Sequence, residues 1–318
     1  MSAVLVTGGT GYLGSLAVAA LQRAGVAQVV SLDVRPPAAP RPGVTELTAD
    51  LRTVDLPALL SEHAVAAVVH LAAVIDPPPG TDDAVLHDIE VGGAERVLAA
   101  CVAAGVGHLT VASSGAAYGY TPANRQRYRI ESDPVPGHPR FAYSRHKAEL
   151  EALLASARHD HPELGQLVLR PGTLLGEGTD NLITRLFTAP VVVGLCDTDV
   201  PFQFVHDRDV AAVIARGVVE RVTGVFNLAG DGVLSLRDIA AIEGRPYLRL
   251  PAGVIAGALR LAQPLRLVGY GPEQVDFVRY RPVLANDAVK QAFAGLTLLS
   301  SAQCYGRFRA ARGMPGRG

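Results

Sequence analysis

Ala3-Val4-Leu5-Val6-Thr7-Gly8-Gly9-Thr10-Gly11-Tyr12-Leu13-Gly14 is a short apolar run that passes into a glycine-rich stretch. Residues 3–6 read as a buried strand. Leu13, Leu16, Ala17, Ala20 and Leu21 then recur at helical spacing as far as Gly25, and residues 29–32 form a second apolar run, so the unit is strand, helix, strand. Within it, Gly9, Gly11 and Gly14 satisfy G-x-G-x-x-G, while Gly8, Gly11 and Gly14 satisfy the related G-x-x-G-x-x-G. Glycines at such positions let the turn close tightly and let a pyrophosphate approach the backbone at the helix N-terminus. The match gains weight from Asp33, which ends the second strand 19 residues beyond Gly14. An acidic side chain there can hydrogen-bond both ribose hydroxyls and repel a 2′-phosphate, which favours NAD over NADP. Arg35, two residues on, keeps NADP as the minority alternative, since a guanidinium can face such a phosphate.

The alternation continues outward from this unit. Residues 65–71 read as a strand, 89–104 as a helix closed by Gly105, 108–112 as a strand, 143–157 as a long helix and 166–170 as a strand that stops at Pro171-Gly172. Such a rhythm predicts an α/β fold, a doubly wound parallel sheet of Rossmann type. After Pro171 the apolar pieces shorten. Residues 202–205, 209–219 and 225–228 again read as strand, helix, strand, rejoining the sheet. The expected division is a dinucleotide-binding domain of residues 1–172 plus about 202–234, a smaller C-terminal substrate lobe of about 173–201 and 235–309, and a flexible tail at 310–318.

Composition narrows the function classes. The 318 residues are 49% hydrophobic and 19% charged, which excludes a disordered or fibrous chain. Basic and acidic residues balance at 29 against 30, leaving no electrostatic footprint for nucleic acid or an anionic membrane. The apolar segment 252–271 is interrupted by Arg260 and Arg266, too soon for a spanning helix, and the N-terminus lacks the basic and apolar regions of a signal peptide, so a cytoplasmic location is expected. Cys101, Cys196 and Cys304 are far apart and read as buried thiols of a reducing compartment. The histidines show no H-x-x-x-H or H-E-x-x-H spacing, and no metal is expected. With 33 glycines, no tryptophan and 5% aromatic residues, function is expected to rest on backbone-lined turns rather than aromatic cages.

Tyr143 and Lys147 lie four residues apart at the start of a helix, hence on one face. A phenol with an ordinary pKa of about 10 is a poor base at neutral pH. A neighbouring ammonium, with an oxidised nicotinamide alongside, favours the phenolate, which can exchange a proton with a substrate hydroxyl while hydride passes. Ser114 sits at the C-terminal end of strand 108–112, the edge where open α/β sheets bind ligands, and can hydrogen-bond the same oxygen. Taken singly, the tyrosine and lysine could be packing and the serine a turn cap.

Together, Thr7–Gly14, Asp33, Ala49-Asp50-Leu51, His70-Leu71-Ala72-Ala73, Ser113-Ser114 with Tyr118-Gly119, Tyr143 with Lys147, Leu169-Arg170-Pro171-Gly172 and the run from Phe204 to Val210 resemble the extended short-chain dehydrogenase/reductase superfamily, specifically its NAD-dependent epimerase/dehydratase family. The resemblance implies catalysis by Ser114, Tyr143 and Lys147. It implies cofactor contacts from Gly8, Gly11, Tyr12, Leu13, Gly14, Asp33 and Arg35, with Asp50 and Leu51 flanking the adenine and Leu71, Ala72 and Ala73 lining the path. Tyr143 and Lys147 would hold the ribose and nicotinamide end, and Pro171, Gly172 and Thr173 the carboxamide region. A homodimer through the helix of Tyr143 is also implied.

Three departures bear on the reaction. Dehydratases of this family carry Asp-Glu after the catalytic Ser/Thr, where this chain has Gly115-Ala116, so no acid stands ready to protonate a leaving hydroxyl. Glu90 stands where members usually have Asn, either as a carboxylate near the mouth of the site or as an exposed helix residue. The arginine that clamps a diphosphate close before His206 is missing; Arg185, Arg245, Arg249 and Arg281 are possible substitutes. His206, Asp207 and Asp209 read as a structural junction. The expected function is an NAD-dependent oxidoreductase or epimerase at a carbinol or carbonyl centre of a small-molecule substrate, a sugar nucleotide among the candidates. The alternatives are an NAD(P)H-dependent ketoreductase or dehydrogenase of a non-nucleotide metabolite, and a non-catalytic cofactor-binding regulator.

Overall fold

Seven strands form one parallel sheet in a computed structural model that describes residues 3–262 except 76 and 79, and residues 274–313. They are β1 (Ala3–Thr7), β2 (Val29–Asp33), β3 (Val44–Thr48), β4 (Val65–His70), β5 (His108–Ala112), β6 (Gly165–Pro171) and β7 (Gly224–Leu228), in the order β7-β6-β5-β4-β1-β2-β3. Every residue of β1 and β2 is buried, as expected where helices cover both faces of a parallel sheet.

Side chains alternate across β1. Ala3 and Leu5 join a core with β2, α2 (Leu56–Glu62), α3 (Gly93–Ala103) and α4 (Ala142–Asp160). Val4 and Val6 point the other way, into a core with α1 (Tyr12–Arg23) and α5 (Asp207–Glu220). Each such Val or Leu contributes on the order of 1.5–3 kcal/mol by leaving water. The chain runs β1 to β3 on one side, then crosses to β4 on the other, so the topological switch lies between β1 and β4. Ligands of open sheets bind at this point, beyond the carboxyl ends of the strands. There the Thr7 hydroxyl and His70 Nδ1 meet at 2.7 Å, and burial pushes His70 down to about 3, so the imidazole is neutral.

A third cluster gathers Leu175, Phe187, Val192, Phe202, Phe204, Ile239, Tyr305 and Phe308 from the later chain. It supports small ladders: Val192–Leu195 with Tyr247–Leu250, Pro201–Phe202 with Leu234–Ser235, and Phe204–Val205 with Thr173–Leu174. The expected strand 202–205 therefore does not return to the main sheet; only β7 does. The extended stretch is interrupted at Gln203, whose buried amide bonds Leu284 N (2.8 Å), Leu284 O (2.9 Å) and Gly230 O (3.1 Å).

Other differences are local. The predicted helix 89–104 begins as a wide π turn, Asp88–Gly92, continuous with the short helix Asp83–His87 before it and with α3 after it. The helix Ser301–Ala311 runs into the stretch read as a tail, and the Arg312 guanidinium stacks over Phe308 and bonds Thr179 O at 2.8 Å. Residues 314–318 and Arg266 lie outside the described residues. Cys101 and Cys304 are buried, but Cys196 is exposed, at the end of a peripheral strand rather than in a core. Among the described residues, no helix is long and apolar enough to cross a membrane.

Candidate functional site

The turn after β1 is held by Gly8 N and Gly9 N, which donate to Leu32 O at 2.8 and 3.3 Å, and by Gly11 N, which donates to Gly8 O at 3.0 Å. Gly8 has φ +70, and a Cβ there would lie 2.7 Å from Ala72 N. A Cβ on Gly14 would overlap the Gly8 carbonyl. The glycines thus pack the turn against α1 and the β4 loop. Gly11 caps α1 without a side-chain bond, and the first turn carries no acidic residue. Such a helix start, with N–H groups lacking side-chain acceptors, suits a pyrophosphate.

Asp33 is buried at the end of β2, where one oxygen accepts from Thr10 N at 3.1 Å and the other from Arg35 N at 3.2 Å. A carboxylate has about four acceptor sites, so both oxygens keep capacity for ribose hydroxyls. Arg35 itself is exposed. Sequence reasoning missed Arg41, whose guanidinium bonds Gly9 O (2.8 Å), Ser31 Oγ (2.6 Å) and Glu46 (2.6 and 2.8 Å), bracing the turn from behind. The Arg52 guanidinium holds the Asp50 carboxyl below its ordinary range, and Leu51 packs against the core. Leu13 and Leu71 are partly buried against the other core, while Ala72 and Ala73 continue the half-buried loop above the turn.

The Tyr12 ring leaves the turn altogether. Its hydroxyl donates to Asp207 and meets Thr179 Oγ1 at 3.0 Å, and burial, reinforced by Asp207, pushes it up to about 12. The Tyr12 side chain is therefore engaged away from the turn, where only its backbone remains. His206 caps α5 through Nδ1, which accepts from Arg208 N at 3.3 Å. Glu177, His206 and Asp207 bring ligand-type atoms within 4.8 Å of one another, but both Asp207 oxygens already accept hydrogen bonds, from Tyr12 and from Arg208 N.

At the other end, Ser114 caps the 3-10 turn Gly115–Tyr118, its Oγ accepting from Ala116 N at 3.1 Å, and also shares a hydrogen bond with Tyr143. Lys147 Nζ lies 5.4 Å from the Tyr143 ring centre. The structure thus brings together the three residues expected to act jointly. Glu90 is buried, not exposed: its carboxylate contacts Lys147 Nζ at 2.9 Å and accepts from Val74 N at 3.0 Å. Burial alone would lower Lys147, but Glu90, together with Tyr143 and Glu151, outweighs it and holds the ammonium above its ordinary range. Tyr143 is raised by burial; Lys147 and Ser114 pull it down, and Glu90 pushes it up.

Pro171 ends β6, Gly172 N donates to Leu228 O at 2.9 Å, and Thr173 N donates to Gln203 O at 3.2 Å. Thr173 Oγ1 accepts from Arg281 Nη2 at 2.5 Å. Arg281 is stacked between the rings of Phe202 and Phe277, 4.6 and 4.5 Å from their centres. Its Nη1 is buried with no hydrogen-bond partner, and burial pushes the guanidinium down to about 10. Phe277 in turn stacks on Phe141 and meets Tyr120 edge-on, an aromatic cluster that composition did not foretell. The other candidate arginines are engaged elsewhere: Arg245 on Thr188 O and Ala189 O, Arg249 on Leu195 O and Cys196 O, and Arg185 beside Asp180 at the surface.

Comparison with known proteins agrees with this fold. An uncharacterized protein of Mycobacterium tuberculosis is 24% identical over 287 residues, covering 88% of this chain and 76% of that relative. Short-chain dehydrogenase/reductase family 42E member 1 of Bos taurus is 30% identical over 253 residues, covering 77% and 62%. The solved structure of MoeE5 in complex with UDP-glucuronic acid and NAD superposes with a TM-score of 0.71 at 26% identity, covering 98% of this chain and 99% of that one. A profile of the NAD dependent epimerase/dehydratase family matches residues 4–229, and with the sheet order, the glycine turn and Asp33 in place, the chain belongs to that family.

Proposed function

We propose that the protein is an NAD-dependent oxidoreductase or epimerase acting at a carbinol or carbonyl centre of an anionic small molecule, with a sugar nucleotide as the leading class. The observation that carries this reading is the convergence of Ser114, Tyr143 and Lys147 at the carboxyl edge of the sheet. NAD, when bound, supplies the hydride acceptor. The backbone of Gly8, Gly11, Tyr12, Leu13 and Gly14 binds its pyrophosphate, and Asp33 binds its ribose. Tyr143 moves the proton at the substrate oxygen, Ser114 hydrogen-bonds that oxygen, and Lys147 orients both. Arg281, with a free buried Nη1, anchors the anionic group of the substrate. UDP-glucuronic acid in MoeE5 lends support to that class. Gly115 and Ala116 supply no acid beside Ser114, so elimination of water is disfavoured. Division into a cofactor domain and a closing lobe, a homodimer through α4 and a cytoplasmic location belong to the same reading.

The test is turnover of UDP-glucose and UDP-glucuronic acid, followed by NMR of the sugar and by NADH absorbance. Conversion without added NAD supports epimerisation, and stoichiometric NADH formation supports a dehydrogenase. Tyr143→Phe is expected to lose at least a hundredfold in kcat while binding NAD, the lower end of what a positioned acid or base supplies, roughly 10²–10⁴. Undiminished turnover in that variant would overturn the assignment.

A further inference from the structure

Lys147 has two carboxylates within electrostatic reach, but only one is available to it. Glu151, on its own helix, is committed to Arg170 through bonds of 2.8 and 2.9 Å. Glu90 arrives from the π turn and is buried together with the ammonium. Its second oxygen is fixed by Val74 N, so the carboxylate is tied on both sides. In the pattern that this chain otherwise resembles, an asparagine fills the position of Glu90. A neutral amide there would leave the full positive charge of Lys147 facing the phenol. With Glu90 in place, the two buried charges offset each other at short range, and Tyr143 faces a pair that is neutral overall.

We infer that Glu90 is a positioning residue for proton transfer, which holds Lys147 in place and offsets part of its field at Tyr143, so that the buried Tyr143 rests as a phenol and the site is set to donate a proton to a carbonyl oxygen. The inference rests on the proposed function and sharpens it: the resting site is protonated for the carbonyl form of the substrate, which takes its proton from Tyr143 and its hydride from the reduced form of the same nicotinamide cofactor. The remaining groups around the pair do not replace this effect. Tyr143 is faced by Ser114 from the turn after β5 and by Tyr120 from the following loop, with Arg281 behind Tyr120. Lys147 is faced by His70 from β4, which is neutral. On the outer side, His146 senses Glu90, with Asp83, Arg145 and His87 around it.

The experiment follows the ionisation of Tyr143 itself, independent of any substrate. Protein labelled with ¹³C at tyrosine Cζ is titrated by NMR, and the Tyr143 signal is assigned by its loss in Tyr143→Phe. In Glu90→Gln the midpoint is expected to fall by about one pH unit, the scale of removing one nearby charge. Glu90→Asp, which keeps the charge, is expected to titrate with the wild type. A Glu90→Gln midpoint equal to or above that of the wild type overturns the inference. If Glu90→Gln does not fold, the double variant Glu90→Gln/Lys147→Met removes both charges, and its Tyr143 must titrate below that of Lys147→Met alone for the inference to stand. Failure of the functional reading would show separately, as turnover retained in Tyr143→Phe whatever the titration gives.

Discussion

At the cofactor end of the site, the glycine turn, the start of α1 and Asp33 all come from one continuous stretch, residues 3–33, and backbone contacts hold them. At the end proposed to take the substrate, Glu90, Ser114, Tyr143, Thr173, Phe202 and Arg281 come from separated segments and meet through charges, rings and side-chain bonds. The first end is a steric construction in which a Cβ on Gly8 or Gly14 would run into backbone. The second is an electrostatic one, whose function depends on which charges are matched and which are left open. Perturbations should therefore divide by type: shape changes act on the cofactor, and charge changes act on the substrate and on proton transfer.

The largest effect on binding is expected from Gly14→Ala, because its methyl would overlap the Gly8 carbonyl and force the turn open. Overpacking costs about 1–3 kcal/mol, so NAD binding measured calorimetrically should weaken roughly ten- to a hundredfold. Unchanged affinity would break the steric half of the comparison. Arg281→Leu comes next. It should weaken binding of UDP-glucuronic acid by about tenfold, the value of one charge-assisted bond, and leave NAD affinity alone. Because the cost of burying the Arg281 guanidinium with Nη1 unpaired offsets its Thr173 bond and ring stacking, the variant should melt no lower than the wild type. A lowered melting point with unaltered substrate binding would make Arg281 a structural residue.

The smallest effect concerns the seam between the two ends, at His70. Burial holds its folded pKa at about 3, against about 6.5 for an exposed histidine. Between these values the unfolded chain takes up a proton that the folded chain does not. Stability therefore falls as pH drops from about 6.5, by at most about 1.4 kcal/mol per pH unit for one proton. His108 is lowered in the same sense and contributes alongside. In His70→Gln, urea unfolding at pH 7 and pH 5 should show a smaller acid loss than in the wild type; an identical loss would mean that His70 is not the group responsible.

The same contrast explains what could be read from the chain alone. The glycine turn and Asp33 were legible because their geometry is local and their spacing carries the meaning. The buried strands were legible from apolar runs, but β3 was not, since Thr45, Glu46 and Thr48 leave an edge strand without a hydrophobic signature. The helix α2 is short, and its signal, Asp55 capping Ala58 N with Pro57 inside the first turn, is a local cue with only seven residues of helix behind it. Glu90 could not be placed because its burial depends on the turn it sits in, not on its neighbours in sequence. Arg281 was one of four equal candidates until the fold set Phe202 of the third cluster on one side of it and Phe277, stacked on Phe141, on the other. Position 203 read as the middle of a strand because a buried glutamine that bonds loop backbone has no pattern of its own.

The wide turn at Asp88–Gly92 has a consequence for how this helical rod can vary. Each residue of an α-helix rotates the next by about 100°, and a π turn adds roughly one residue to the coil. The parts before and after it are thus set out of phase. Beyond the turn, Ala94, Val97, Leu98 and Cys101 face the sheet, while inside it Glu90 faces Lys147. One rod thereby serves two partners that a regular helix could not satisfy with the same sequence. A single-residue deletion here would bring the rod back into phase and force a choice between the hydrophobic seam and the ion pair. Length at this point is accordingly as constrained as side-chain identity.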